Sequence, residues 1–141
     1  MSGENTHGKR WLSLNIRESA EMYLETILVL RQKLPHVRSI DIVNELNYKK
    51  SSVSVAMKKL RENGLIVMDE NGFITLTAEG EKIASTMLER HRLISDWLMK
   101  LGVSEATAVQ DACRIEHVIS QESFEAIKRY IPKMIQNIRN E

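Results

Sequence analysis

The sequence predicts a mainly α-helical protein interrupted by one short β-hairpin. Three observations carry that expectation. Apolar residues recur at helical spacing through most of the chain. Two short β-like runs flank Asp69-Glu70-Asn71-Gly72, whose Asn-Gly pair is a strong hairpin signal. Capping and breaking residues punctuate the helical runs at Pro35, Asn63-Gly64, Thr77 and Gly102.

The elements follow in order. Residues 1–17 read as a flexible extension: they are polar as far as Asn15, with Gly3 and Gly8, and Trp11, Leu12 and Leu14 are the sticky part. Ser19 caps a helix over Glu21–Lys33, with Tyr23, Leu24, Ile27, Leu28 and Leu30 on its apolar face and Pro35 beyond its end. Ser39 starts a short helix, Ile40–Leu46, and Asn47-Tyr48 turns the chain. A third helix, Ser52–Arg61, carries Val53, Ala56, Met57 and Leu60 on one face and stops at Asn63-Gly64. Strands Leu65–Met68 and Phe73–Leu76 form the hairpin. Thr77 caps a long helix from about Glu79 to Leu101, ended by Gly102. Short helices over Ser104–Val109 and Asp111–Ser120 follow, then Glu122–Tyr130 before Pro132, with a helical or frayed tail.

Composition excludes several classes. The 141 residues are 43% hydrophobic, too apolar for a disordered chain. No apolar run approaches the ~20 residues of a membrane span, and no signal peptide is visible at the N-terminus. The single cysteine, Cys113, excludes an intramolecular disulfide framework. A cytoplasmic protein with no membrane partner is the expectation. A net charge of +1 argues against a generally basic coat but leaves room for a local basic patch.

Such a patch exists. From Asn47 to Asn63 the chain carries five basic residues and one acidic residue, a net charge of +4. Helix, helix, turn, helix and two-stranded ribbon is the order of a winged helix-turn-helix, in which the second helix of the pair presents its N-terminal half to a major groove. Ser39, Lys49, Lys50, Ser51, Ser52, Ser54, Lys58 and Lys59 are the candidate contacts. Lysines meet phosphates, and small hydroxyl residues allow close backbone approach. A basic run is also what a solvated surface helix carries; the hairpin that directly follows favours DNA. The wing tip is acidic, and no base-specific pair in the helix reveals an operator sequence.

The second chemical signal is Cys113, Glu116 and His117, at i, i+3 and i+4 and hence on one helical face. Thiolate, carboxylate and imidazole can together hold a divalent cation. A buried cysteine beside an exposed Glu–His pair explains the spacing equally well. An enzyme is poorly supported: there is no nucleophile triad spacing, no glycine-rich phosphate loop and no zinc-hydrolase motif, and Cys113 as a redox nucleophile has only His117 beside it as an activating base.

Glu21-Met22-Tyr23-Leu24, Arg61-Glu62-Asn63-Gly64-Leu65, His91-Arg92 and Cys113-Arg114-Ile115-Glu116-His117-Val118 together resemble the diphtheria toxin repressor family of metal-dependent transcriptional repressors. The resemblance covers roughly residues 19–130 and implies the short, two-domain form, without the SH3-like domain of larger members. It implies a winged helix-turn-helix DNA-binding domain over residues 18–77 and a helical dimerisation and metal-binding domain over 78–141. The family's primary iron site falls on Met22, Cys113, Glu116 and His117. Its manganese branch uses carboxylates on the first helix and a histidine on the long helix, which here places Glu25 and His91 among the candidates. The chain is thus a hybrid of the two branches. An ancillary site is not expected, because two of its ligands would fall on Ser95 and Val109.

Thioether and thiolate donors favour Fe(II), Co(II) or Ni(II) over Mn(II). Fe(II) is therefore the expected metal and Mn(II) the alternative, with Co(II) or Ni(II) as substitutes in vitro and no organic cofactor. Ligands from both domains would let the metal select one domain arrangement. Ile83, Met87, Leu93, Ile94, Trp97, Leu98 and Leu101 offer more apolar surface than one helical layer covers, and the resemblance implies a homodimer that reads a palindromic operator on double-stranded DNA. The competing reading is a metal-independent winged-helix regulator, in which Cys113→Ser leaves DNA binding intact.

Overall fold

The computed structural model describes the backbone of residues 3–140 and the side chains of residues 17–131 and 133. Among them are six helices and one antiparallel hairpin: α1 Gly3–Lys33, α2 Ser39–Leu46, α3 Lys50–Glu62, β1 Ile66–Met68, β2 Ile74–Leu76, α4 Ala78–Lys100, α5 Glu105–Val118 and α6 Gln121–Asn140. The chain forms two compact units, Met1–Thr86 and Met87–Glu141, divided within α4.

In the first unit α1 begins at Gly3, not at Glu21. No proline interrupts residues 3–33 and Gly8 is the only interior glycine, so nothing stops the helix, and Ser19 lies inside it rather than capping it. The side chains of Trp11, Leu12 and Leu14 lie outside the described residues.

Helix α1 packs against α2, α3 and β2. Tyr23, Leu24, Ile27, Leu28, Ile42, Val53, Met57, Leu60, Ile66 and Ile74 are buried there. Each large apolar side chain removed from water contributes about 1.5–3 kcal/mol. Asn47 takes a left-handed conformation (φ 56°) that ends α2 and redirects the chain into α3. Helix α2 begins at Ser39, as expected, and Asp41 in its first turn secures that end, its carboxylate accepting from the Arg38 backbone N–H at 2.8 Å. Tyr48 sets the turn on α1: its hydroxyl donates to Met22 Sδ at 3.6 Å, and its ring meets Tyr23 edge-on at 6.1 Å.

The hairpin pairs Ile66 with Leu76, Val67 with Thr75 and Met68 with Ile74. Its connection is not a two-residue Asn-Gly turn, which requires positive φ at both residues. Only Gly72 has it (φ 77°). Instead Gly72 N–H donates to Asp69 O at 3.0 Å, while the Asp69 carboxylate accepts from the N–H groups of Asn71 and Phe73, both at 2.9 Å. Asp69 of the acidic tip thus holds the turn, while Glu70 stays exposed.

Thr77 caps α4 as expected, accepting from Gly80 N–H at 3.2 Å and donating to Gly64 O at 2.7 Å. A Cβ on Gly80 would stand 2.0 Å from Leu65 O, a backbone atom that cannot swing away. Gly80→Ala is therefore expected to destabilise the protein by about 1–3 kcal/mol, the clash outweighing the ~1 kcal/mol that alanine gains in a helix. Urea denaturation checks this; a stabilised variant would refute the close approach. The nearby Arg31–Glu81 pair, at 2.6 and 2.7 Å, is solvent-exposed and contributes at most ~1 kcal/mol.

In the second unit a single helix, α5, replaces the two short ones expected from Ser104. No glycine or proline lies between Ser104 and Val118, so the polar Gln110-Asp111 pair does not break it. Ser104 caps it, accepting from Thr107 N–H at 3.4 Å. Helix α6 continues through Pro132 to Asn140 instead of ending at Tyr130; a proline weakens a helix without always ending it. Met87, Leu88, Ile94, Ala108, Ala112, Phe124 and Ile131 are buried. Met87 and Ile94 thus serve the chain's own core rather than a dimer surface. Leu101, Val109, Val118 and Tyr130 are exposed. Among the described residues no helix is long and apolar enough to cross a membrane.

Candidate metal centre and nucleic-acid interface

Helix α3 buries Val53, Met57 and Leu60 and turns its other side outward. Lys49, Lys50, Ser51, Ser52, Ser54, Lys58, Lys59 and Arg61 are all exposed, and Ser39 is half-buried at the start of α2. Two concavities flank the exposed Val55. Ser51, Ser52 and Lys59 border one of about 650 Å³, and Ser39, Ser54, Lys58 and Arg61 border the other, of about 270 Å³. One side of α3 therefore combines cations, hydroxyls and an apolar ridge, the mixture that phosphate and base-edge contacts need.

Sequence alone does not single out Arg38. It is exposed at the N-cap of α2, its guanidinium 4.7 Å from the centroid of the Phe73 ring, against which His36 stacks at 4.1 Å. A lone arginine before a predicted helix gives no such signal, because the aromatic partner comes from the hairpin.

The second unit brings four candidate ligands together. His91 lies on α4, and Cys113, Glu116 and His117 lie on α5. Glu116 is 1% exposed, yet it is a carboxylate. Each of its oxygens has an imidazole neighbour: Oε2 lies 2.9 Å from His91 Nδ1, and Oε1 lies 3.2 Å from His117 Nε2. Cys113 Sγ is 3.7 Å from the same His91 Nδ1, and Cys113 remains exposed. The donor atoms of His91, Cys113 and Glu116 all lie within 4.8 Å of one another. Hydrogen bonding to Cys113 and then to Glu116 outweighs the effect of burial and pushes the His91 pKa up to about 10. A cation binding among these donors competes with the proton on that ring.

This donor set fits a divalent transition metal: a thiolate, a carboxylate and imidazoles converge, and a buried carboxylate otherwise carries a large desolvation cost. Met22 and Glu25 are half-buried on α1, in the other unit. Met22 lends its sulfur to Tyr48, and its backbone carbonyl accepts from Thr26 Oγ1 at 2.8 Å.

The profile described as "Iron dependent repressor, N-terminal DNA binding domain" matches residues 15–72. That described as "Iron dependent repressor, metal binding and dimerisation domain" matches residues 77–137. The "Transcriptional regulator MntR" of Escherichia coli O6:H1 is 35% identical over 117 residues, covering 83% of this chain and 76% of the relative. The chain belongs to the diphtheria toxin repressor family, the iron-dependent repressors. Members of this family are metal-dependent transcriptional regulators rather than enzymes. An "Uncharacterized HTH-type transcriptional regulator MJ0568" from Methanocaldococcus jannaschii is 34% identical over 118 residues, 82% of this chain and 94% of the relative.

Solved structures agree on the winged-helix and helical architecture. "Structure of the manganese regulator SloR" superposes with a TM-score of 0.72 at 26% identity, over 80% of this chain and 53% of that one. "Manganese-dependent transcriptional repressor complex with manganese" also gives a TM-score of 0.72, at 27% identity over 80% and 52%. The chain spans about half the length of these solved relatives.

Proposed function

We propose that this chain is a cytoplasmic homodimeric repressor whose binding to a palindromic operator is gated by a divalent cation, Fe(II) in the first place. The observation that carries the reading is the buried Glu116 carboxylate between two imidazoles, with the Cys113 thiol beside it. His91, Cys113, Glu116 and His117 would hold the ion. On the family resemblance, Met22 and Glu25 of the DNA-binding domain supply further donors. A bound divalent ion would supply the positive charge that holds thiolate, carboxylate and neutral imidazoles in one arrangement.

The functional boundary is placed between residues 77 and 78, at the start of the long helix. Lys49, Lys50, Lys58 and Lys59 contact phosphates, while Ser39, Ser51, Ser52 and Ser54 approach the backbone and base edges. Gating rests on differential affinity: only a cation that binds the DNA-competent arrangement more tightly shifts the population toward it. A coupling of about 1–3 kcal/mol raises operator affinity roughly 5- to 150-fold.

Fe(II) follows from the thiolate donor and from its place above Mn(II) in the general affinity order. Mn(II) is the second reading, favoured by the solved relatives described as manganese regulators. An anaerobic Co(II) titration followed by absorbance tests the sulfur donor. We expect a saturable thiolate-to-cobalt band that disappears in Cys113→Ser. Binding unchanged by that substitution would remove Cys113 from the site and favour the manganese reading.

A further inference from the structure

Arg90 stands next to His91 on α4 and is only 7% exposed. The groups that accept its hydrogen bonds are all neutral. Nη1 donates to the backbone carbonyls of Glu116 at 3.0 Å and of Ile119 at 2.9 Å, and Nη2 donates to Gln121 Oε1 at 2.7 Å. The guanidinium carbon lies 5.4 Å from the centroid of the Phe124 ring, and Nε is buried with no hydrogen-bond partner among the described residues. Burying a guanidinium on such terms is costly, so the local structure that keeps it there is strongly specified.

The position of the bonds gives them meaning. The last carbonyls of a helix have no partner within it and are where it frays. Glu116 and His117 lie in that last turn of α5, which ends at Val118. Arg90 takes up the Glu116 carbonyl itself, reaches past the end of the helix to Ile119, and grips the first residue of α6 through Gln121. One turn of α4 thus offers both a ligand candidate, His91, and the clasp that fixes the backbone of the residue His91 faces.

We propose that Arg90 is a positioning residue for the metal centre: it locks the C-terminal turn of α5 so that Glu116 and His117 are held ready to ligate, and it links that turn to the start of α6. This role rests on the metal-gated reading above. Outer partners that orient ligands typically influence metal affinity by about 10- to 100-fold, and a clasp on a ligand's own backbone belongs with them.

The test uses the full chain and Co(II), under anaerobic conditions, at a temperature well below the melting midpoint of each variant. Arg90→Met keeps the aliphatic stem and removes the donors. It is expected to weaken Co(II) binding by about 10- to 100-fold and to alter the ligand-field bands. Arg90→Lys, with one donor centre for three acceptors, is expected to recover only part of the loss. Gln121→Ala changes an exposed residue and tests the clasp should Arg90→Met fail to fold; a several-fold loss of affinity with an unchanged circular dichroism spectrum is expected. Wild-type affinity and bands in Arg90→Met, or in Gln121→Ala if that is the variant that folds, would overturn the proposal while leaving the metal reading intact. A wild-type chain that shows no cobalt bands would overturn both.

Discussion

Glu116→Ala is expected to reduce divalent-metal affinity by roughly hundredfold or more, beyond the ~10–100-fold typical for outer-sphere partners, because it removes the anionic donor itself. It is also expected to destabilise the metal-free protein. Glu116 is buried, and its oxygens meet His91 at 2.9 Å and His117 at 3.2 Å. Removing one partner from a buried charged network costs about 3–5 kcal/mol. Glu116→Gln separates the two effects. It keeps the volume and a carbonyl acceptor, so its stability loss should be smaller, about 1–3 kcal/mol, while the loss of metal affinity remains large. Paired urea denaturation and Co(II) titration of both variants provide the check. A glutamine variant that binds metal like the wild type would show that Glu116 is a structural carboxylate and not a ligand.

The second large effect is expected on the DNA side. Lys49 and Lys50 are exposed at the N-terminal end of α3. If each neutralises one phosphate, replacing both with alanine lowers the salt slope of binding, log K against log salt, by roughly 2. The loss should be similar for specific and non-specific duplexes, since phosphate contacts carry little sequence information. Ser51 and Ser52 variants should instead change preference among sequences with little change in slope. Fluorescence anisotropy over a range of salt concentrations distinguishes these outcomes. An unchanged slope in the double lysine variant would mean that the basic side of α3 is a solvated surface.

Sequence makes some of this legible and hides the rest for physical reasons. Thr77, Gly64, Gly102 and the Pro35 region set helix ends by local stereochemistry, so α2, α3, the hairpin and both ends of α4 fall within a residue or two of expectation. Where no residue forces a stop, at Ser19 and at Gln110, weak local signals suggest boundaries that the helices ignore. The Cys113–Glu116–His117 face is readable because i, i+3 and i+4 fix it geometrically. That His91 pairs with Glu116 is not, since the contact spans 25 residues and depends on how α4 meets α5. Arg90 is the least visible. Glu89-Arg90-His91-Arg92 looks like a solvated turn, yet within it Glu89 and Arg92 are exposed, His91 is half-buried and Arg90 is buried.

The most direct test of metal-gated repression works without a known operator sequence. A random-sequence duplex pool is enriched on the full chain under anaerobic conditions with Fe(II) present, and the winning duplex is then titrated with and without chelator. Metal gating predicts an enriched sequence with two-fold symmetry, bound roughly 5- to 150-fold more tightly in the presence of metal. Equal affinity for that duplex in the metal-loaded and chelated states would contradict the account.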